Sequence, residues 1–502
     1  MTNPASPQTT QNKTSLTRQL GLMGLAATGI CSMLGAAINV IPIMIQRSVP
    51  GVGPYVLPAY LFGAIPAILA ALAYAMLASA MPRAGGSYIY ASRSLSPYLG
   101  FVASFSQWFG LSIAIGVVSY VLVPFLRDVA EPLGLHGLAQ ALDTGFVRVS
   151  VALGFLWFFA FVNMRSLKLY ERTLVPMMFI MFALGAIVIV AGFSFNQQEF
   201  AAAVLERDGQ PIPTMETPPF RFGVFFAASA LLFSSFIGFD SIAQAGGEAK
   251  NPNRTLPIAI GIAVVTVGTF YMLFTAAVYN TVPWQFVAEQ AQTRDLTAPG
   301  LLGYLLSPGW TVAIVAGAAI ALINDLPAML LAVSRLMFAW AEDGVFPRRV
   351  AAINKKSHTP NVAIILSASM ASVGILGSHF AGDFFLGVDI LVTSMLVNFL
   401  LMCVSVLALP KRNPEIAKDV RVIPSRKLQI PLASLGILIL GGFLVVHIWK
   451  DLSAEMSAWY FHSTPLWIAV MGLASIIYFR EKQQLKKSGV DLKKQFSTLP
   501  PE

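Results

Sequence analysis

The sequence predicts an all-α integral membrane protein of about twelve transmembrane helices, and three observations carry that prediction. Of the 502 residues, 56% are hydrophobic and only 11% charged, against about 25% charged in an ordinary soluble domain. Apolar runs of about 20 residues, the length a helix needs to cross a hydrocarbon core, recur along nearly the whole chain. The basic residues lie between these runs and never in one block, so the net charge of +9 reports membrane sidedness and gives no reason to expect a nucleic-acid partner.

Taken in order, Met1 to Ser15 is polar and lacks the apolar core of a cleavable signal; residues 1–15 are expected to be a disordered tail. The spans then run roughly over 21–45, 55–81, 99–125, 146–164, 173–195, 222–246, 256–282, 309–337, 361–380, 385–409, 429–449 and 463–479. Residues 16–482 thus form one membrane domain, and 483–502 a short C-terminal tail. An even count puts both ends on one side. With this topology, 26 of the 33 Lys and Arg fall on that side and 7 on the other. Cytoplasmic loops hold the excess, so both termini are expected in the cytoplasm and the chain in the plasma (inner) membrane. A wrong span count would scramble this sorting; ten or eleven spans with one re-entrant piece is the alternative. The two longest segments on the other side are Asn196 to Phe220, which holds four prolines, and Pro283 to Leu306, which reads as a small helix over a mouth.

Several function classes drop out. The two cysteines, Cys31 and Cys403, sit in apolar runs and the five histidines show no ligand spacing, so neither disulfides nor a metal site are expected. His-Glu-x-x-His and Gly-x-Ser-x-Gly are absent, as is the phosphate-binding Gly-x-x-x-x-Gly-Lys loop, which argues against an intramembrane enzyme and an ATP-driven pump. Nothing in the sequence reports the oligomeric state.

Two spans contain poor helix material. In the first, Ser32, Gly35, Ala36, Ala37 and Asn39 cluster within an uncharged run, and Gly costs roughly 1 kcal/mol relative to Ala in a helix interior. A break at bilayer depth frees main-chain polar groups, which is tolerated only where they face protein or a wet cavity. A small hydrophilic solute would supply partners; a tightly packed, unbroken helix is the other reading. In the sixth, Phe233 to Ser241 packs Ser234, Ser235, Gly238 and Asp240 into mid-membrane sequence. If both are interrupted, the chain falls into two groups of five spans, each opened by a broken helix, followed by two more. Inverted-repeat secondary transporters follow that pattern, offering half-helix ends to charged groups of a solute. No convincing residue-level repeat joins the two halves.

Three segments carry a family resemblance: Met81-Pro-Arg-Ala-Gly-Gly-Ser-Tyr-Ile-Tyr90; Gly238-Phe-Asp240 continuing to Gly247-Glu-Ala-Lys-Asn-Pro-Asn-Arg-Thr-Leu-Pro257; and Ser334-Arg335 through Glu342-Asp-Gly-Val-Phe-Pro347 to Thr359-Pro360. Placed after the second, sixth and eighth spans, they resemble the hallmarks of the amino acid-polyamine-organocation (APC) permeases over about Leu16 to Pro414. The resemblance implies the five-plus-five inverted repeat of the leucine-transporter type with two extra C-terminal helices. The activity it implies is uptake or exchange of an amino acid or related small amine by alternating access. It also implies that backbone N–H groups around Gly35, Ala36 and Ala37 hold a substrate carboxylate, that carbonyls of Ser234, Ser235 and Phe236 receive the ammonium, and that Phe233, Phe236 or Phe239 forms a gate. The chain departs from the family where Ala36 and Ala37 replace a Ser and a Gly, losing a hydroxyl and some room, while Asn39, where the family commonly has Phe, adds polarity.

Asp240, Asp325 and Asp389 fall within spans, where a carboxylate costs about 3 kcal/mol and needs a partner, water or a proton. Asp325, in a run otherwise apolar apart from Asn324, reads as a proton carrier or a ligand for a substrate amine, or else as a packing acid. Asp240 reads as a gating or coupling residue, or as a structural hydrogen-bond acceptor; Asp389 reads as interfacial. Some family members place a sodium-mimicking lysine in the fifth span, near Met181 here, and this chain has none. No cofactor is expected beyond a coupling proton or sodium ion, with a proton on Asp325 preferred. Arg83, Arg93, Lys250, Arg254 and Arg335 would pair with Glu248, Glu342 or Asp343 to latch a closed state, or simply anchor the cytoplasmic side. The alternative cargo is a polyamine or other organic cation. A transporter-like nutrient sensor is the reading from a different class.

Overall fold

The computed structural model describes residues 16–381, 385–456 and 458–500, without the side chains of residues 36, 37, 381 and 385. The N-terminal stretch expected to be a tail lies outside them. Among the described residues there are no strands beyond two isolated bridges, Leu20 with Ala249 and Ala84 with Ala245. Twelve helical spans among the described residues, two of them broken, are long and apolar enough to cross a membrane. Most run past the expected windows, because a helix continues beyond the hydrocarbon to whatever caps it. The third span, Pro97–Ala130, starts where Ser96 Oγ accepts the Leu99 N–H at 3.2 Å, with Pro97 in the first turn. The eighth, Pro308–Glu342, likewise opens on a proline.

Burial sorts the spans into a centre and a rim. The most apolar window of the first span is wholly buried and those of the third and eighth are 83% buried, whereas the fourth, fifth, eleventh and twelfth bury only 28%. Exposed Phe158, Phe179 and Leu438 on that rim suit contact with lipid.

Packing shows the repeat that the residues hide. The first span packs on the seventh as the sixth packs on the second. The fifth packs on the eighth as the tenth packs on the third, and the second and third pack on their own counterparts, the seventh and eighth. Because each group has five spans, an odd number, the second group enters the membrane from the opposite side, which makes the repeat an inverted one. The eleventh and twelfth spans, Arg426–Ser453 and Ser463–Lys487, lie outside it.

Both helix breaks are real. The first span is two helices, Leu22–Met33 and Ala36–Ser48, joined at Leu34 and Gly35. The sixth is Phe222–Leu232, a tight turn over Phe233–Phe236, an irregular stretch, and a short helix, Ser241–Gln244. The segments expected on the far side hold a helix Gln197–Asp208, capped by Asn196 and Glu199 in a capping box, and two small helices, Trp284–Gln290 and Ala298–Leu302.

On the face where the first span begins and the twelfth ends, two buried ion pairs join elements distant in sequence. Arg335 on the eighth span grips Glu248 after the sixth with two parallel bonds, Nη2 to Oε1 at 2.6 Å and Nε to Oε2 at 3.1 Å. Arg93, on the helix Gly86–Ser94, binds Asp343 at the end of the eighth span, with Nη2 to Oδ1 at 3.0 Å. Burial works against the Arg93 charge, but the Asp343 carboxylate more than offsets it and holds the guanidinium pKa above its ordinary value. The C-terminal stretch lies across this pair: Gln495 Nε2 donates to the Asp343 carbonyl at 2.8 Å, and Arg93 Nε to that of Thr498 at 3.2 Å.

Candidate functional site

The site begins with what the first break leaves open. A helix end carries N–H or C=O groups without intrahelical partners. The chain ties up some of them locally, the Leu34 N–H on the Ile30 carbonyl at 2.9 Å and the Gly35 N–H on the Met33 carbonyl at 3.1 Å. From the seventh span the Tyr271 hydroxyl also donates to the Met33 carbonyl. The N-terminus of the 13-residue half Ala36–Ser48 has no side-chain cap and points its dipole into the break.

Asp325 closes on that end from the eighth span. A Cβ built on Gly35 would overlap its carboxylate, so only glycine fits this close approach. Asp325 is 4% exposed, and its Oδ1 has no hydrogen-bond partner among the described residues; neither has the Ser32 hydroxyl. The preceding residue fixes the register: Asn324 Nδ2 donates to Cys31 Sγ at 2.9 Å and reaches the Leu174 carbonyl of the fifth span at 3.4 Å.

The sixth break is organised differently, by its own carboxylate. Asp240 is fully buried; its Oδ1 accepts the Gly238 N–H at 3.1 Å and its Oδ2 accepts from Gln107 Nε2 of the third span. Gln107 Oε1 in turn accepts from the Ser87 hydroxyl at 2.6 Å. Gly238 has φ +136°, a conformation side chains avoid, and a Cβ there would fall on the main chain of Ser32 and Met33. The two breaks therefore touch, backbone to backbone.

Beside this contact lies a cavity of about 80 Å³, against roughly 10–15 Å³ for one ordered water. Three polar side chains border it, Ser32, Ser234 and Asp325, one from each of the first, sixth and eighth spans. Ser234 Oγ donates to the Leu231 carbonyl at 2.6 Å, which leaves its lone pairs available. The remaining wall is apolar, including Val40, Val117, Val121, Ile237, Met329 and Leu391; no Lys or Arg is among the lining residues.

Of the residues expected from sequence, Ser32, Ser234 and Asp325 meet at the cavity. Gly35 lies in the break beside it, Ala36 and Ala37 open the half-helix that follows, and Asn39 is buried on that same half-helix. Ser235 and Phe236 lie in the turn of the sixth span, where the Phe236 ring sits 5.3 Å from Tyr60 and 5.8 Å from Tyr271. Phe233 and Phe239 do not border the cavity; they pack on Phe399 of the tenth span, Phe239 stacked at 5.1 Å. Asp240 faces Gln107 and not the cavity. The valines of the third span, Met329 and Leu391 carry no signal in sequence, since an apolar residue in a span is equally at home in lipid. Gln107 and Tyr271 did offer one, as polar groups inside apolar runs. No group of His, Cys, Asp and Glu suited to a metal ion occurs among the described residues.

Twelve candidate spans, two of them interrupted where they touch beside a cavity, are the architecture of a membrane transporter. The profile of the amino acid permease family matches residues 20–474. The chain belongs to that family, within the APC superfamily, and is a permease and not an enzyme. It is 27% identical to a branched-chain amino acid permease of Bacillus subtilis, over 82% of this chain and 84% of that one. It is 24% identical to the methylthioribose transporter of the same organism, over 96% and 98%. To the vacuolar cationic amino acid transporter 2 of Arabidopsis thaliana it is 27% identical, over 77% of this chain and 60% of that one.

Proposed function

We propose that the protein is a secondary active transporter which moves an amino acid or a related small amine across the membrane by alternating access, as uptake or exchange. The observation that carries the proposal is the meeting of Ser32, Ser234 and Asp325, whose Oδ1 has no partner among the described residues, in a cavity beside two touching helix breaks. Uncapped main chain and one carboxylate at bilayer depth suit a small charged solute that arrives and leaves. The relatives' names give different cargoes, so the substrate must be read from the cavity.

The Lys and Arg excess supports a reading in which both termini face the cytoplasm, and we take the membrane to be the plasma (inner) membrane. The Arg335–Glu248 and Arg93–Asp343 pairs then lie on the cytoplasmic side and latch it shut, and the cavity serves the outer pathway. Rocking one bundle on the other would break these pairs and open the inner path. Asp325 takes a proton when no cation is bound, which couples transport to the proton gradient. Asp240 acts by holding the sixth break in shape. The test is uptake by purified protein in proteoliposomes, using a radiolabelled panel of amino acids and amines. Saturable uptake of at least one member is expected; correctly oriented protein that moves none of them overturns the proposal.

A further inference from the structure

At an amino acid site of the kind the family resemblance implies, the N-terminus of the half-helix Ala36–Ser48 would receive the substrate's carboxylate. Here that end already has a carboxylate against it. Asp325 approaches Gly35 so closely that even a methyl there would overlap it. Negative charge belongs at such a helix end, and a second carboxylate brought beside the first is repelled. No basic side chain among the residues lining the cavity offers the second one another place.

We infer that the cavity selects a carboxylate-free, apolar primary amine, and that Asp325 is the residue that sets this specificity. The inference rests on the transporter reading above and narrows it. An alkylammonium group has three N–H donors, and three acceptors line the cavity: Asp325, Ser32 and Ser234. The Asp325 Oδ1 and the Ser32 hydroxyl have no other partner among the described residues, and Ser234 keeps free lone pairs because its hydroxyl donates to Leu231. The rest of the wall, with Val117, Val121, Ile237 and Met329, suits a short branched hydrocarbon. The same wall offers nothing to a second charge, so a diamine or longer polyamine is a poor fit.

Three solutes with one skeleton separate the possibilities: isopentylamine, leucine, and 4-methylpentanoate, which keep the amine alone, both charged groups, or the carboxylate alone. Uptake and mutual competition are measured in proteoliposomes of the full chain, above the passive entry into protein-free vesicles. Isopentylamine is expected to be taken up saturably with at least about tenfold the affinity of leucine, and 4-methylpentanoate to be neither taken up nor inhibitory. Asp325→Asn is expected to reverse the order, weakening the amine about 100-fold or more while leucine gains. Should that variant fail to insert, Ser32→Ala and Ser234→Ala are each expected to weaken the amine by roughly tenfold; unchanged affinity in both overturns the inference. Leucine carried by the wild type as well as isopentylamine overturns it too, while leaving the transporter reading standing. Uptake of none of the three, nor of any wider amino acid or amine, brings both down.

Discussion

Asp240 and Asp325 are both buried carboxylates in membrane-spanning sequence, both beside a helix break, and the structure treats them in opposite ways. Each Asp240 oxygen has a partner, the Gly238 N–H or the Gln107 amide, within a polar network that continues to Ser87. Asp325 has an oxygen with no partner among the described residues, and it faces a cavity. A satisfied buried acceptor specifies and stiffens the structure around it. An unsatisfied one costs free energy in the empty state, and that cost is recovered when a cation or a proton arrives. On the function proposed above, the contrast separates scaffold from working surface: the sixth break is pinned by its own Asp240 side chain, whereas at the first break Asp325 keeps an oxygen without a partner among the described residues beside the cavity.

The comparison breaks most visibly at Asp325. Removing one member of a buried charged pair costs about 3–5 kcal/mol, so Asp325→Asn should lower amine uptake by roughly two to four orders of magnitude. Proton and amine compete for one carboxylate, so wild-type uptake should fall as the external pH is lowered, and whatever uptake the variant keeps should lose that dependence. A variant as pH-sensitive as the wild type removes the proton from Asp325. Thermal unfolding in detergent should show little loss for this variant, since the Asp325 Oδ1 has no partner among the described residues to lose.

Asp240→Ala should do the reverse. It strands the Gly238 N–H and the Gln107 amide at about 1–3 kcal/mol each, so the unfolding midpoint should drop clearly. Transport per folded molecule should fall less than in Asp325→Asn; the opposite ranking would exchange the two roles. Gly35→Ala pushes a methyl onto the Asp325 carboxylate, an overpacking worth about 1–3 kcal/mol, and should raise the apparent KM for amine. An unchanged KM would mean that Asp325 does not sit on the break during binding. Smallest is Tyr271→Phe, which takes one donor from the Met33 carbonyl at the first break. About 1 kcal/mol is expected, read as a modest drop in the unfolding midpoint.

Much of this was legible before any coordinates. Small and polar residues inside otherwise apolar runs marked both breaks, at Ser32 to Asn39 and at Phe233 to Ser241, because a membrane helix has few reasons to carry them. Ser32, Ser234 and Asp325 stood out for the same reason. The phenylalanines did not sort in this way: Phe233 and Phe239 looked like gate residues, yet they pack on Phe399 away from the cavity. An aromatic side chain is compatible with lipid, core or pocket, and only its neighbours decide among them.

By itself the sequence determined that the chain is helical, how many times it crosses, where two helices fail, and which face gathers positive charge, since each of these follows from local composition and hydropathy. The tertiary structure alone decided which polar groups meet. Asp325 lies on Gly35 across 290 positions, Gln107 reaches Asp240 across 133, and the inverted repeat exists in how the spans pack and not in their residues. Hydrocarbon rewards any apolar side chain alike, so sequence pattern specifies that a span is buried but not its partner; that choice is made when close-packed helices bring distant backbones into contact.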